Sequence, residues 1–311
     1  MNSLRVAVDE YLAMRRSLGF KLRVAGEGLP DFVSFVEQSG ATYVTTSLAL
    51  QWAQKPRSAR PGHHARRLSF IRAFARHRSA TDPRTEIPPL GLLPYCKERP
   101  RPYIYTNEEI ERLMAASLKL SRAGPLQPWT YYCLFGLLAV SGVRISEALS
   151  LKIEDVDLNE SLLTVNGTKF GKSRLVPLHE STQKTLSDYQ NRRDRLLNGL
   201  PARYFFPSLR TGGKLNRSVV ERRFRALSRQ IGLRSPSSSQ GPRLHDFRHR
   251  FAVETLLRWY RAGLEVESRL PVLSTYLGHV NVNDTYWYLT ACPELMGQAA
   301  QRLEQRWEVK L

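Results

Sequence analysis

The 311-residue chain is 42% hydrophobic and 24% charged, which supplies apolar material for two buried cores and excludes a disordered polyampholyte. Its 47 Lys and Arg against 28 Asp and Glu leave a formal net charge of +19, pointing to a polyanionic partner and to nucleic acid first. Cys96, Cys133 and Cys292 stand apart with no C-x-x-C pair, which argues against a disulfide framework and a zinc site, and the longest apolar run, 129–140, falls short of the ~20 residues that span a bilayer.

Residues 3–17, 27–38, 46–54 and 62–78 read as four short helices separated by Gly, Pro or Ser/Thr breaks. The first carries charges throughout, so it is no signal peptide, and cytoplasmic residence near the nucleoid is the expectation. Residues 1–102 hold 17 basic against 8 acidic side chains and 103–311 hold 30 against 20, so both halves could grip a duplex. Between Gln38 and Thr81 no acidic residue occurs, while Lys55, Arg57, Arg60, Arg66, Arg67, Arg72, Arg76 and Arg78 do. In the fourth helix Leu68, Ile71 and Phe74 mark a core side, which leaves Arg66, Arg67, Arg72 and Arg76 as expected phosphate contacts that add affinity more than sequence choice. Six prolines between residues 83 and 102 place an irregular interdomain linker there, so the domains are expected at 1–98 and 106–311 with 99–105 ending the linker.

The second domain opens on Thr106 and Glu109 in a capping-box pattern. The apolar run 129–140 reads as a buried helix, and 153–178 switches to short β-like runs. Residues 216–231 read as an amphipathic helix with Val219, Phe224 and Leu227 inward and Arg222, Arg225 and Arg229 available to DNA, where arginine can read guanine edges; an ordinary surface helix with a basic face is the other reading. A Ser/Pro-rich loop, 234–243, is expected to be mobile before DNA binds. Residues 293–311 suggest a tail helix with Leu295, Ala299, Leu303 and Trp307 on one side.

Four segments carry the chemistry: SGVRISEALSL (141–151), TKFGKSRLVPL (168–178), LHDFRHRFA (244–252) and LGHVNVNDTYWYL (277–289). Each alone is a weak signal, but together and in this order they resemble the tyrosine recombinase family of phage-type integrases and Xer-like site-specific recombinases. The family places an arginine in a T/S-G-x-R-x-S-E turn, a lysine in a β-hairpin, then H-x-x-R, L-G-H and a nucleophilic tyrosine nine residues beyond the last histidine. Here His279 to Tyr288 is nine residues. The resemblance implies a mainly α fold with a small β-hairpin or sheet, made of an N-terminal helical core-binding domain (a SAM-like bundle) and a C-terminal mixed α+β catalytic domain.

It also implies a site-specific DNA recombinase that cuts and rejoins duplex DNA through a 3′-phosphotyrosyl intermediate, with no cofactor and no metal. A tyrosine phenol titrates near ~10 and needs cationic help to act as a nucleophile at neutral pH. Planar guanidinium groups suit the charge that develops on a phosphate in the transition state, a role the resemblance gives to Arg144 and Arg248. His245 and His279 would complete the phosphate shell and move protons, and Lys169 would protonate the departing 5′ oxygen. Lys172, three residues on, is the alternative for that role; aligning the R-L-V-P-L run with the family puts Lys169 on the catalytic lysine and Lys172 on a second basic position, commonly a backbone contact. Glu147, one turn beyond Arg144, either orients that guanidinium or is a solvent-facing helix charge. His249 is left to a local carbonyl or the DNA backbone; Tyr286, Trp287 and Tyr288 form an aromatic cluster whose other reading is core, and the spacing from His279 selects Tyr288 over Tyr286.

GTKFGKS mimics a P-loop, but three residues instead of four separate its glycines and a strand follows, so ATP binding is not expected. The family tail docks on a neighbouring protomer, which implies a tetramer on two recombination sites, while a helix folding back on its own domain is the alternative. With no further domain ahead of the helical bundle, a simple pair of core sites is the expectation, and the Arg-rich first half suggests a mobile element. Competing readings are a type IB topoisomerase-like or telomere-resolving enzyme and a non-catalytic DNA-binding accessory protein. Target sequence, reaction direction and accessory factors stay open.

Overall fold

The computed structural model describes residues 3–56, 58–59, 61–95, 101–120, 124–167, 173–199, 202–238, 240–291 and 293–308. The chain divides into two compact units, Met1–Pro100 and Arg101–Leu311.

The first unit holds four helices: α1 (Leu4–Ser17), α2 (Arg23–Gln38), α3 (Thr46–Gln54) and α4 (Pro61–Arg78). Ser3 and Thr45 cap α1 and α3 by accepting backbone N–H groups from Val6 and Leu48. Helix α2 starts four residues earlier than its apolar spacing suggests, because Gly26 and Gly28 are packing positions here and not breaks. A Cβ at Gly28 would lie 2.6 Å from the Phe70 ring, so glycine lets α4 and Trp52 close on the helix. Leu29, Phe32, Val33, Trp52, Ile71 and Phe74 form the core. The irregular segment that follows α4 is strapped to this unit: Glu86 accepts from the Thr46 N–H at 2.7 Å, and Arg72 donates to the carbonyls of Pro88 and Pro89 at 2.6 and 2.8 Å.

The second unit is helical around a small sheet. Helices α5 (Asn107–Leu118), α6 (Gln127–Ser141) and the one-turn α7 (Ile145–Ala148) precede strands β1 (Val156–Asp157), β2 (Leu162–Val165) and β3 (Arg174–Pro177). After them come α8 (Glu180–Leu197), α9 (Arg217–Gln230), α10 (Asp246–Arg261), α11 (Val266–Leu277), α12 (Asn283–Ala291) and α13 (Pro293–Glu308). The strands form an antiparallel sheet in the order β1-β2-β3, with Leu163 opposite Val176. The capping box at Thr106 and Glu109 opens α5. Helix α6 is apolar on every side, as a helix enclosed by others must be: it contacts α5, α8 and α10, and its Phe135 joins a ring cluster with Phe224 and Phe247.

On α9 the inward residues are Val220, Phe224 and Leu227, whereas Val219, expected inside, is 39% exposed. The i, i+4, i+7 spacing of the first three defines the buried stripe and turns Val219 out. Arg222, Arg225 and Arg229 are exposed. The Ser/Pro-rich loop is tied by Arg234, a buried guanidinium that donates to the carbonyls of Gln240 and Pro242 at 2.8 and 2.6 Å. Helix α13 packs on α10 and α12 of its own unit, with Leu295 in the core they share; Ala299 is half-buried, and the side chains of Leu303 and Trp307 lie outside the described set. Cys133 is a buried free thiol, and Cys96 and Cys292 lie outside the described residues. Among the described residues no helix is long and apolar enough to cross a membrane.

Candidate active site

The site grows from the C-terminal end of α11. Gly278 closes that helix with φ +65°, a left-handed cap that suits glycine, and three successive carbonyls, those of Tyr276, Leu277 and Gly278, turn away from the helix. A helix C-terminus leaves such carbonyls without intrahelical partners at the negative end of the dipole, so cations stabilise it. Three guanidinium groups meet them. Arg174 of β3 donates Nε to Tyr276 O at 2.7 Å, Arg248 donates to Leu277 O at 2.5 Å, and Arg144 donates to Gly278 O at 3.0 Å.

Each arginine is positioned by its own element. Arg144 follows Gly142, whose φ of +60° caps α6 and whose carbonyl accepts a second bond from Arg248 at 2.9 Å. A Cβ at Gly142 would lie 2.6 Å from Phe251, so glycine is required there by both conformation and space. Arg248 enters from the first turn of α10 and is 1% exposed. Glu147 on α7 is buried and holds the set together, receiving Arg144 Nη1 at 2.7 Å, the Arg144 backbone N–H at 2.9 Å and Arg174 Nη2 at 2.8 Å. The solvent-facing alternative for Glu147 does not describe it. Burial opposes the ionised carboxylate, but Arg174 and Arg144 outweigh it and hold Glu147 at about 2.

Three histidines and a tyrosine face this cationic shelf. His279 follows the α11 cap, and a 2.8 Å hydrogen bond joins its Nδ1 to the buried Thr285 hydroxyl, which fixes the ring. Tyr288, on α12, is 3% exposed, with its ring centroid 5.9 Å from His279 and 5.5 Å from His249. Tyr286 points outward at 47% exposure. His245 sits at the entry to α10 with its ring reaching solvent, 4.7 Å from His249. His249 is buried among the rings of His245, Trp287 and Tyr288, and its Nδ1 has no hydrogen-bond partner. It therefore neither pairs with a local carbonyl through that atom nor faces outward to a DNA backbone.

Desolvation by the crowded walls, followed by the Arg248 charge, holds His245 and His279 at about 4; desolvation and then His245 hold His249 at about 3. Burial raises the Tyr288 phenol, while Arg248, by charge and hydrogen bonding, and Arg144 pull it back down. A shelf of guanidiniums beside neutral imidazoles and a phenol is built for an anion that develops charge.

The structure thus brings Arg144, Glu147, His245, Arg248, His279 and Tyr288 together. Lys169 and Lys172 fall in 168–172, outside the described residues. In the first unit Arg66 and Arg76 are exposed, but Arg67 lies 3.4 Å above the Trp52 ring and donates to Trp52 O, and Arg72 holds the Pro88 and Pro89 carbonyls. Arg174 and Thr285 are site residues that sequence reasoning passes over. In the sequence Arg174 stands only as one residue of the segment 168–178, and Thr285 carries no signal.

The phage integrase family model matches residues 104–294. The protein y4rB of Sinorhizobium fredii, named as an integrase/recombinase, is 54% identical over 311 residues, with 99% of each chain covered. The tyrosine recombinase XerD of Caulobacter vibrioides is 28% identical over 94% of this chain and 93% of its own. Among solved structures, the Tn1549 transposon integrase in complex with transposon right end DNA superposes with a TM-score of 0.67 at 16% identity, covering 98% of this chain and 99% of that one, a likeness of fold. From the family match and the full-length relatives, the chain belongs to the phage integrase family of tyrosine recombinases, enzymes that break and rejoin DNA strands.

Proposed function

We propose that Arg144, Arg248, His245 and His279 grip the scissile phosphate of a duplex and that Tyr288 attacks it. The Tyr288 oxygen forms the new P–O bond, the bond to the 5′ oxygen breaks, and the products are a 3′-phosphotyrosyl enzyme and a free 5′ hydroxyl. The phenol proton leaves towards the imidazoles, and Lys169 donates a proton to the 5′ oxygen. Glu147 orients Arg144. The observation that carries this reading is the convergence of Arg144, Arg248, His279 and Tyr288 from separate elements on the capped end of α11.

Arg66 and Arg76 are the phosphate contacts of the first unit that best fit, with Arg67 and Arg72 shaping that surface from inside; Lys172, Arg222, Arg225 and Arg229 would hold the duplex from the second. The bound DNA in the solved complexes, and the lambda integrase tetramer on a Holliday junction, support action as a tetramer on two sites; α13, which packs on its own unit here, would dock on a neighbouring protomer in that assembly. A mobile element as host and association with the nucleoid follow from the same reading. Integrase/recombinase and XerD relatives along nearly the whole chain leave the topoisomerase-like and accessory readings without support.

The test is a nicked suicide duplex from DNA flanking the chain's own gene, incubated in EDTA and resolved on a denaturing gel. A protein–DNA adduct on the 3′ side of the break is expected. Tight binding with no adduct would return the chain to the non-catalytic DNA-binding class.

Protonation gives a second check. With His245 and His279 held at about 4, both are neutral at pH 7 in the free protein. A bound phosphate supplies the missing negative charge and raises both, so complex formation takes up protons and affinity for cleavable DNA increases as pH falls from about 7 towards 5. The free protein has the opposite sensitivity: depressed histidines stabilise it above the ordinary value of 6.5, and that contribution is lost as pH falls towards 4. Titration calorimetry in buffers of different ionisation enthalpy reads the uptake, and buffer-independent heats would contradict the phosphate-facing placement of the histidines.

A further inference from the structure

We infer that Arg174 is a positioning residue for Arg144, acting through Glu147; the inference rests on the reading that Arg144 binds the scissile phosphate. Arg174 stands on β3, 27 residues beyond Glu147 in sequence, with its side chain 9% exposed. Its hydrogen bonds among the described residues are structural: Nη1 and Nη2 to the two Glu147 oxygens at 3.2 and 2.8 Å, and Nε to Tyr276 O at 2.7 Å. It therefore ties β3, α7 and the end of α11 together at one buried carboxylate. The same carboxylate receives Arg144 through both its guanidinium and its backbone N–H.

Two consequences follow from that shared anion. Each Glu147 oxygen is divided between two donors, so the carboxylate cannot close bidentately on Arg144 and draw its guanidinium away from the shelf. The three groups together carry one net positive charge, which the phosphate feels; without Arg174 they are neutral. A planar fork with five N–H donors is needed to reach both carboxylate oxygens and the Tyr276 carbonyl at once, which a lysine ammonium cannot do. The contact at Gly278 belongs to the same arrangement, since a Cβ there would lie 2.9 Å from Arg174 Nη1.

The test compares wild type, Arg174→Lys, Arg174→Met, Glu147→Gln and the double variant Glu147→Gln/Arg174→Met for single-turnover capture of the suicide duplex. The double variant guards against loss of folding, because it removes the buried carboxylate along with its partner. Arg174→Met is expected to slow capture on the order of 10²-fold, the scale of a small misplacement at a reacting centre, with Arg174→Lys between it and wild type. In the Glu147→Gln background the same substitution should cost little, since the two residues act as one unit. A duplex with an uncharged methylphosphonate at the scissile position should shrink the Arg174→Met deficit, because that substrate asks less of Arg144; a general folding defect would slow both substrates alike. Additive losses, or an equal deficit on the two substrates, overturn the inference. Absence of adduct from wild type would instead count against the Tyr288 reading, and the cycle is then read on affinity for a short duplex ending in a 3′ phosphate relative to a 3′ hydroxyl, where additivity again overturns it.

Discussion

Replacing Tyr288 with phenylalanine is expected to abolish covalent capture of DNA while leaving the fold and DNA affinity near wild type. The ring is 3% exposed and packs against His249, His279 and Trp287, with centroid separations of 5.5, 5.9 and 5.6 Å. Phenylalanine keeps every one of these contacts and removes one hydroxyl, so stability should change by no more than about 1 kcal/mol, the worth of an ordinary hydrogen bond. Chemistry has no such substitute. The neighbouring phenol, Tyr286, is 47% exposed and turned away from the cationic shelf, so it cannot take over, and Tyr286→Phe should capture DNA at close to the wild-type rate. Denaturing gels of both variants, with peptide mapping of the DNA-linked residue, decide the matter. An adduct that survives in Tyr288→Phe and is lost in Tyr286→Phe would reverse the assignment.

The convergence of these residues is legible in the sequence because local signals and spacing coincide in this part of the chain. Gly142, two residues before Arg144, and Gly278, directly before His279, both cap helices in left-handed conformation, and the residues after them emerge where a carbonyl-rich helix end leaves room for cations. Helices α1, α3 and α4 were readable from apolar spacing and caps, and the β-runs from their turns. What failed, failed because tertiary context decided it. Gly26 and Gly28 look like breaks in a sequence but serve close packing in α2, and the inward face of α9 starts at Val220 because burial follows the full stripe.

Arginine was the hardest residue to read. A run such as Arg66, Arg67, Arg72 and Arg76 looks uniform in sequence, yet Arg67 stacks on Trp52 and Arg72 holds two proline carbonyls while Arg66 and Arg76 stay exposed. Arg174 shows the same blindness in reverse. Its partner Glu147 lies 27 residues away on another element, and no periodicity links the two. Thr285 likewise matters only because α12 folds back to place its hydroxyl against His279.

Arg248→Met should produce the other large effect, and for several reasons at once. The substitution leaves the Gly142 carbonyl without its buried donor, at a cost of about 1–3 kcal/mol for a group left unsatisfied, and leaves the Leu277 carbonyl only the longer 3.4 Å bond from Arg144. It removes one of two guanidiniums proposed to meet charge on the phosphate, a loss on the order of 10²–10³-fold in rate when a transition-state donor is deleted. It also resets the titration of its neighbours. Arg248 is the largest charge acting on both His245 and His279 and holds both down, so both should titrate higher in the variant; it pulls the Tyr288 phenol down, so that phenol should titrate higher as well. The residual cleavage of Arg248→Met should therefore be slower and also shifted to higher pH relative to wild type. Histidine NMR titrations of the free proteins provide the independent check. If His245 and His279 titrate alike in wild type and variant, Arg248 does not face them, and the shelf from which the mechanism is built would have to be redrawn.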